Sequence, residues 1–277
     1  MNVGGNKIYC IITKKNYNRS IKSKVGILLS KFSNWVKANV SKAPADVNRR
    51  GLGKWFQVLE ERFMPMFWSN LLTMGCMTPA CVCLFFYMET RDWLSLAAAL
   101  VCFSLAAPAL VSTFFICMQA VRGNPTWVWD SFKTSYTLEG KKAIPLGLLV
   151  GILWTGYLWA VGLVLSDAVV SAVTLVMLAI CGIFLAGFSF FSFQQLATVE
   201  LPFHGILRNG ILLILAGKGR SLVVSLLTLA AVLAGAWYSV ISYCVLLVGV
   251  LGIVIMTGEL IFFPVFEMLF LDEDGEE

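Results

Sequence analysis

Beyond residue 62 the chain is organised as charge-free apolar runs, 63–88, 93–120, 143–165 and 168–196, with a fifth, 221–266, interrupted only by Glu259. A hydrocarbon core about 30 Å thick takes about 20 helical residues at ~1.5 Å each, so each of the first four runs predicts one spanning helix. The fifth run would make a single helix of about 69 Å, twice what a bilayer accepts. It predicts two spans, 221–237 and 239–266, turning near Ala236-Trp237-Tyr238-Ser239, where an aromatic pair suits the membrane–water interface. The pattern thus predicts an all-α membrane protein with six transmembrane helices, arranged as three helical hairpins with short cytoplasmic interfacial helices.

Between the runs the periodicity changes. In 24–40, Val25, Leu28, Leu29, Phe32, Trp35, Val36 and Val40 recur at helical spacing while Lys24, Lys31 and Lys37 take other faces, which predicts an amphipathic helix. Its two candidate resting places are the lipid surface and the protein's own cytoplasmic loops. The stretch 41–53, punctuated by Pro44, Gly51 and Gly53, reads as a linker. Three segments result: a basic extension 1–54, a membrane domain 55–270 and an acidic tail 271–277.

Two elbows interrupt the spans. In the first, Asn124-Pro125 predicts a helix start, with Asn124 as N-cap and Pro125 at the first position. Trp129, Phe132 and Tyr136 then share one face of a short interfacial helix, and Gly140-Lys141-Lys142 with Pro145 redirects the chain into the third span. In the second, Phe203, Ile206, Leu207, Ile211 and Leu215 form an apolar stripe too short to cross, and Gly217 and Gly219 break the helix before the fifth span.

Composition and charge sharpen this picture. Of 277 residues 58% are apolar and 13% charged, and the mean hydropathy of +0.81 lies far outside the mix of soluble domains. Of the 21 Lys and Arg residues, 13 lie in 1–62, four in 121–142 and three in 197–220, segments that six spans place on one side; Arg91 alone lies elsewhere. By the positive-inside rule both termini are expected in the cytoplasm, N-in/C-in. The net charge of +5 is then a topology signal, and nucleic acid is not an expected partner. The lipid bilayer is.

Candidate chemistry is sparse. Cys76, Cys81 and Cys83 stand close together in sequence, but with no His or acidic neighbour they read as small apolar thiols in helix contacts rather than metal ligands. His204, the one histidine, has no second ligand nearby in sequence. No nucleophile–base set or paired acids can be assembled, so no enzymatic activity, metal or cofactor is expected. Two candidate sites remain. Trp129, Phe132, Lys133 and Tyr136 form a partner-contact or interfacial face; Glu259, Gln194 and Gln195 form a candidate intramembrane polar site, Glu259 being read as a solvated or Arg-paired acid with Arg208 or Arg220 as partner. "GLLVG" (Gly147 to Gly151) is a small-xxx-small pattern for close helix approach, within the monomer or in a homo-oligomer.

With these elements placed, the chain resembles the YesL-like family of bacterial membrane proteins. Three stretches carry the likeness: the entry "FMPMFWSNLLTMGCMTP"; "APALVSTFFICMQAVRGN" (107–124), similar to a Pro-Ala helix with a Val-Arg-Gly exit; and "FKTSY" (Phe132 to Tyr136), similar to a Phe-Lys-x-Asn-Phe signature. Ser135 and Tyr136 depart from that signature, so a role for its Asn does not carry over. The resemblance covers roughly 55–270. It implies a six-helix protein of the bacterial cytoplasmic membrane, often encoded beside carbohydrate ABC importers, and hence an accessory factor to carbohydrate uptake with the importer's permease subunits as partners. An autonomous small-solute transporter or channel and a membrane sensor are the competing expectations.

Overall fold

The computed structural model describes residues 52–124, 127–166, 171–199, 201–237 and 250–270, all of them in helices or the short joints between helices. The amphipathic helix expected at 24–40, the acidic tail and the second half of the turn expected at 236–239 lie outside these residues. The first helix, α1 (Leu52–Thr90), begins eleven residues before its charge-free run. It is followed by α2 (Trp93–Val121), α3 (Val128–Thr134), a π-helical turn (Ser135–Glu139), α4 (Gly140–Ser166), α5 (Ala172–Thr198), α6 (Phe203–Ala216), α7 (Lys218–Trp237) and α8 (Leu251–Phe270).

Local chemistry sets the helix ends. Asp92 caps α2 by accepting from the Leu94 amide at 3.2 Å, while Arg91 makes the tight link from α1 in the left-handed region at φ 56. At its other end α2 closes in a Schellman motif: the Gly123 amide donates to Ala120 O and the Asn124 amide to Gln119 O, with Gly123 at φ +77. Ser171 caps α5 through the Val173 amide.

That closure corrects the expected start of the first elbow. The Asn124 side chain donates back to Gln119 Oε1 at 2.7 Å, so it finishes α2 instead of capping the next helix. The next helix starts at Val128, with Trp127 at the cap position and no side-chain cap bond.

The elbow is also no separate interfacial helix. The chain runs helically from Val128 to Ser166, because Gly140 takes ordinary helical angles and Pro145 interrupts the ladder without breaking it. Buried positions along it fall at 131, 132, 135, 140, 143, 146, 147, 150 and 151. The single step of five coincides with the π turn, where the wider winding absorbs one extra residue and keeps the same face on α2. This segment reaches deep: the Tyr136 hydroxyl lies 3.5 Å from Cys76 Sγ in the middle of α1.

α2 is the hub, packing against α1, α4, α5 and α8. Ser69, Thr73 and Thr113 join their hydroxyls between α1 and α2 at 2.7 to 2.9 Å, and Ser104 Oγ donates to Ile144 O on α4 at 2.8 Å. Gly147 and Gly151 of the small-residue pattern press on Ala107, Phe103 and Leu100 of α2, so these glycines serve packing inside this chain. α5 has two halves: residues 171–177 are all exposed, whereas 186–196 are buried on every side. A helix buried all round is the centre of its bundle.

α6 and α7 form a bent pair, turning by 113° about Gly217. Gly210 of α6 lies against Ser192 of α5, and Gly187 of α5 against Ile214 and Ser225, so α6 climbs along the buried half of α5.

Among the described residues four helices are long and apolar enough to cross a membrane, and five if the bent pair forms one span. Val82, Phe85 and Phe86 on α1, Val101 and Leu105 on α2, Ile152 and Leu163 on α4 and Val173 and Met177 on α5 face outward in numbers that water would not tolerate. The chain is a multi-pass helical membrane protein. Tyr87, Trp93 and Trp159 cluster by the Arg91 link, with Trp93 and Trp159 ring centroids 5.2 Å apart, as an aromatic girdle requires.

Candidate functional site

The two sequence-derived sites meet different fates. The elbow face divides. Trp129 is 69% exposed, Lys133 is exposed and Trp127 joins them at 77%, but Phe132 is 7% exposed and packs inward. Tyr136, 38% exposed, stacks at 5.9 Å on Phe132 and points its hydroxyl at Cys76. The i, i+3, i+7 count assumed a regular α-helix, and the π turn beginning at Ser135 rotates Tyr136 away from Trp129. What is presented outward at the α2–α3 joint is therefore Trp127, Trp129 and Lys133, over a Phe132 anchor. Asp130 in the first turn and Lys133 in the last complement the dipole of this short helix.

Glu259 meets Gln194 directly, and Gln195 lies beside Gln194 in α5. All three are fully buried. Gln194, five residues from the C-terminal end of α5, donates from Nε2 to Glu259 Oε2 of α8 at 2.6 Å. Gln195 donates to Phe191 O of its own helix at 3.1 Å. Glu259 is thus neither solvated nor paired with Arg208 or Arg220: the guanidinium whose charge acts on it is that of Arg122, the residue that ends α2. Cys117, one turn earlier on α2, also feels the Glu259 charge and donates to Gly252 O of α8 at 3.6 Å.

Around this bond the polar balance is uneven. Glu259 Oε1, Gln194 Oε1, Gln195 Oε1 and Ser192 Oγ are buried without a hydrogen-bond partner among the described residues. Each such acceptor costs about 1–3 kcal/mol of desolvation left uncompensated. Three of these oxygens can only accept, while the Ser192 hydroxyl can also donate.

Aromatic rings close it. Phe191 and Phe262 meet at 4.5 Å between centroids, and Phe190 lies against Gly258. Gly217, the joint of the bent pair, abuts Phe262, one helical turn from Glu259. Nearby, Trp55 Nε1 donates to Thr257 Oγ1 at 3.0 Å, Lys54 stands 5.4 Å over the Phe263 ring, and Arg62 donates to Gly123 O. The start of α1, the ends of α2 and α5 and the middle of α8 therefore gather around the Glu259 centre.

His204 is exposed, as are Cys81 and Cys181, while Cys76 and Cys83 are partly covered and Cys117 is buried. The expectation that Cys76, Cys81 and Cys83 sit inside helix contacts thus fails for Cys81, which faces outward on α1. Arg122 was legible only as a topology charge, since nothing in sequence ties residue 122 to 259. Asn70, fully buried and accepting from the Gly252 amide at 3.2 Å, was overlooked; its signal was the polar trio Ser69, Asn70 and Thr73 at helical spacing within an apolar run. Comparison with known proteins finds no matching family model, no matching curated protein and no matching solved structure.

Proposed function

We propose that this chain is a six-span, N-in/C-in protein of the bacterial cytoplasmic membrane that acts by association, as an accessory factor to a carbohydrate uptake system. Six spans follow if α7 and α8 each cross, with the link between them on the side of Arg91. Orientation rests on the split of Lys and Arg, and the choice of partner on the YesL-like resemblance. The observation that carries association is the α2–α3 joint. Phe132 is buried and fixes the helix, so Trp127, Trp129 and Lys133 are held outward on a rigid support, the arrangement from which aromatic and basic contacts bind with little ordering cost.

The test is in-membrane cross-linking of the tagged protein at native level, with mass spectrometry of what co-purifies. Recovery of the permease subunits of a sugar importer from wild type, and their loss from Trp127→Ala/Trp129→Ala at equal membrane abundance, is expected. Equal recovery from both would remove the joint as the contact surface. Recovery of the protein alone would favour the second reading, an autonomous transporter or channel, which the enclosed acceptor-rich centre at Glu259 supports.

A further inference from the structure

We infer that the Glu259 centre is a binding site for a small monovalent cation, either a proton or sodium, set at the break of a discontinuous helix. The inference goes beyond association and does not depend on it. It concerns binding alone, so it stands or falls separately from whether the protein moves a solute.

Three independent features converge on it. The first is the acceptor surplus. The Gln194–Glu259 bond uses the one amide donor offered to the carboxylate and leaves Glu259 Oε1 and Gln194 Oε1 without a partner among the described residues. A proton on the carboxyl adds a donor beside the two unpaired acceptors. Sodium satisfies the same oxygens by coordination, since hard cations choose carboxylate and carbonyl ligands. A neutral apolar neighbour does neither.

The second feature is the helix break. Discontinuous helices at membrane depth place polar backbone beside ion sites in membrane transport proteins. Here α6 climbs along α5 and turns by 113° at Gly217, which lies against Phe262. A Cβ on Gly217 would stand 2.6 Å from that ring and 2.8 Å from Ser221 Cβ, so the joint closes on the centre only because residue 217 has no side chain.

The third is the surrounding charge. From α2 the groups facing Glu259 are Arg122 and Cys117. From α1 the nearest is Lys54, over Phe263 one turn along α8, and from α5 only the neutral Gln194 and Gln195. On α7, Arg220 is exposed and Lys218 is the first residue of the helix. Arg122 is thus the cation among the described residues whose charge bears on Glu259.

The experiment uses the full chain in native membranes and dicyclohexylcarbodiimide, a lipid-soluble probe that modifies protonated carboxyls, with quantitation of the Glu259 peptide by mass spectrometry from pH 5 to pH 9. Labelling that falls at least tenfold with rising pH and is the same in sodium and choline identifies the proton as ligand. Labelling suppressed at least fivefold by 100 mM sodium relative to choline, ~1 kcal/mol of protection, identifies sodium. A parallel melt of purified protein by tryptophan fluorescence should show a shift with the same ligand in wild type and none in Glu259→Gln. Glu259 labelling absent or invariant across all pH and salt conditions, with an invariant wild-type melt, would overturn the site and leave Glu259 as a sealed structural acid.

Discussion

Replacing Gly147 with alanine tests how α2 and α4 are held together. A Cβ built on Gly147 stands 2.5 Å from Ala107 Cβ and 3.3 Å from Ser104 Cα. Carbon atoms pack best at about 3.5–4.0 Å, so the new methyl is about 1–1.5 Å too close to a group with no rotamer to yield. The helices must part, which also stretches the Ser104 Oγ to Ile144 O bond of 2.8 Å. Overpacking of this kind costs about 1–3 kcal/mol. Gly156 on the same helix has nothing within 4 Å of its virtual Cβ, so Gly156→Ala gains the same helix propensity, up to about 1 kcal/mol, with no clash. Propensity cancels in the comparison. Unfolding of both variants in bicelles should place Gly147→Ala about 1–3 kcal/mol below Gly156→Ala. Two variants of equal stability, within about 0.5 kcal/mol, would refute the close α2–α4 contact.

Thr113→Val keeps the shape and removes both hydroxyl contacts to Ser69 and Thr73, while Thr73 keeps Ala109 O. A loss of about 1–2 kcal/mol in reversible unfolding is expected, and no loss would mean that these hydroxyls find equal partners in the membrane-inserted unfolded state. Gln194→Leu strips Glu259 of its donor and should destabilise by about 1.5–3 kcal/mol. Adding Glu259→Leu should restore most of it, because an apolar pair of similar volume needs no partner, and a double variant worse than the single would contradict that. Arg91→Gly relieves a left-handed residue and should stabilise by about 1 kcal/mol by the same unfolding assay, with a loss showing that the Arg91 side chain outweighs the strain.

Much of this protein could be read along the chain. Long charge-free runs announce membrane helices, because a bilayer demands about 20 apolar residues per crossing and the boundaries follow from where charge resumes. Charge-free runs also located α2 and α5 to within a few residues. Where the reading failed, the determining interaction was either a closure using neighbours already engaged, as with Asn124 on Gln119, or a change of helical winding. Periodicity at 3.6 residues cannot register a π turn, so the faces of Trp129 and Tyr136 were merged and the joint of α3 with α4 was taken for a break.

The sequence by itself determined that this chain enters the bilayer, roughly where each helix lies and which segments carry the basic charge, because partition between water and lipid is a property of local composition. The tertiary structure alone decided which helix is central and what meets at the core. Residues 186–196 and 171–177 lie in one charge-free run, and in lipid an apolar side chain turned to acyl chains is no different in kind from one turned to protein. For the same reason Glu259 could be noticed in its run, while its bond to Gln194, the charge of Arg122 and the aromatic seal of Phe191 and Phe262 depend on helices that only packing brings together.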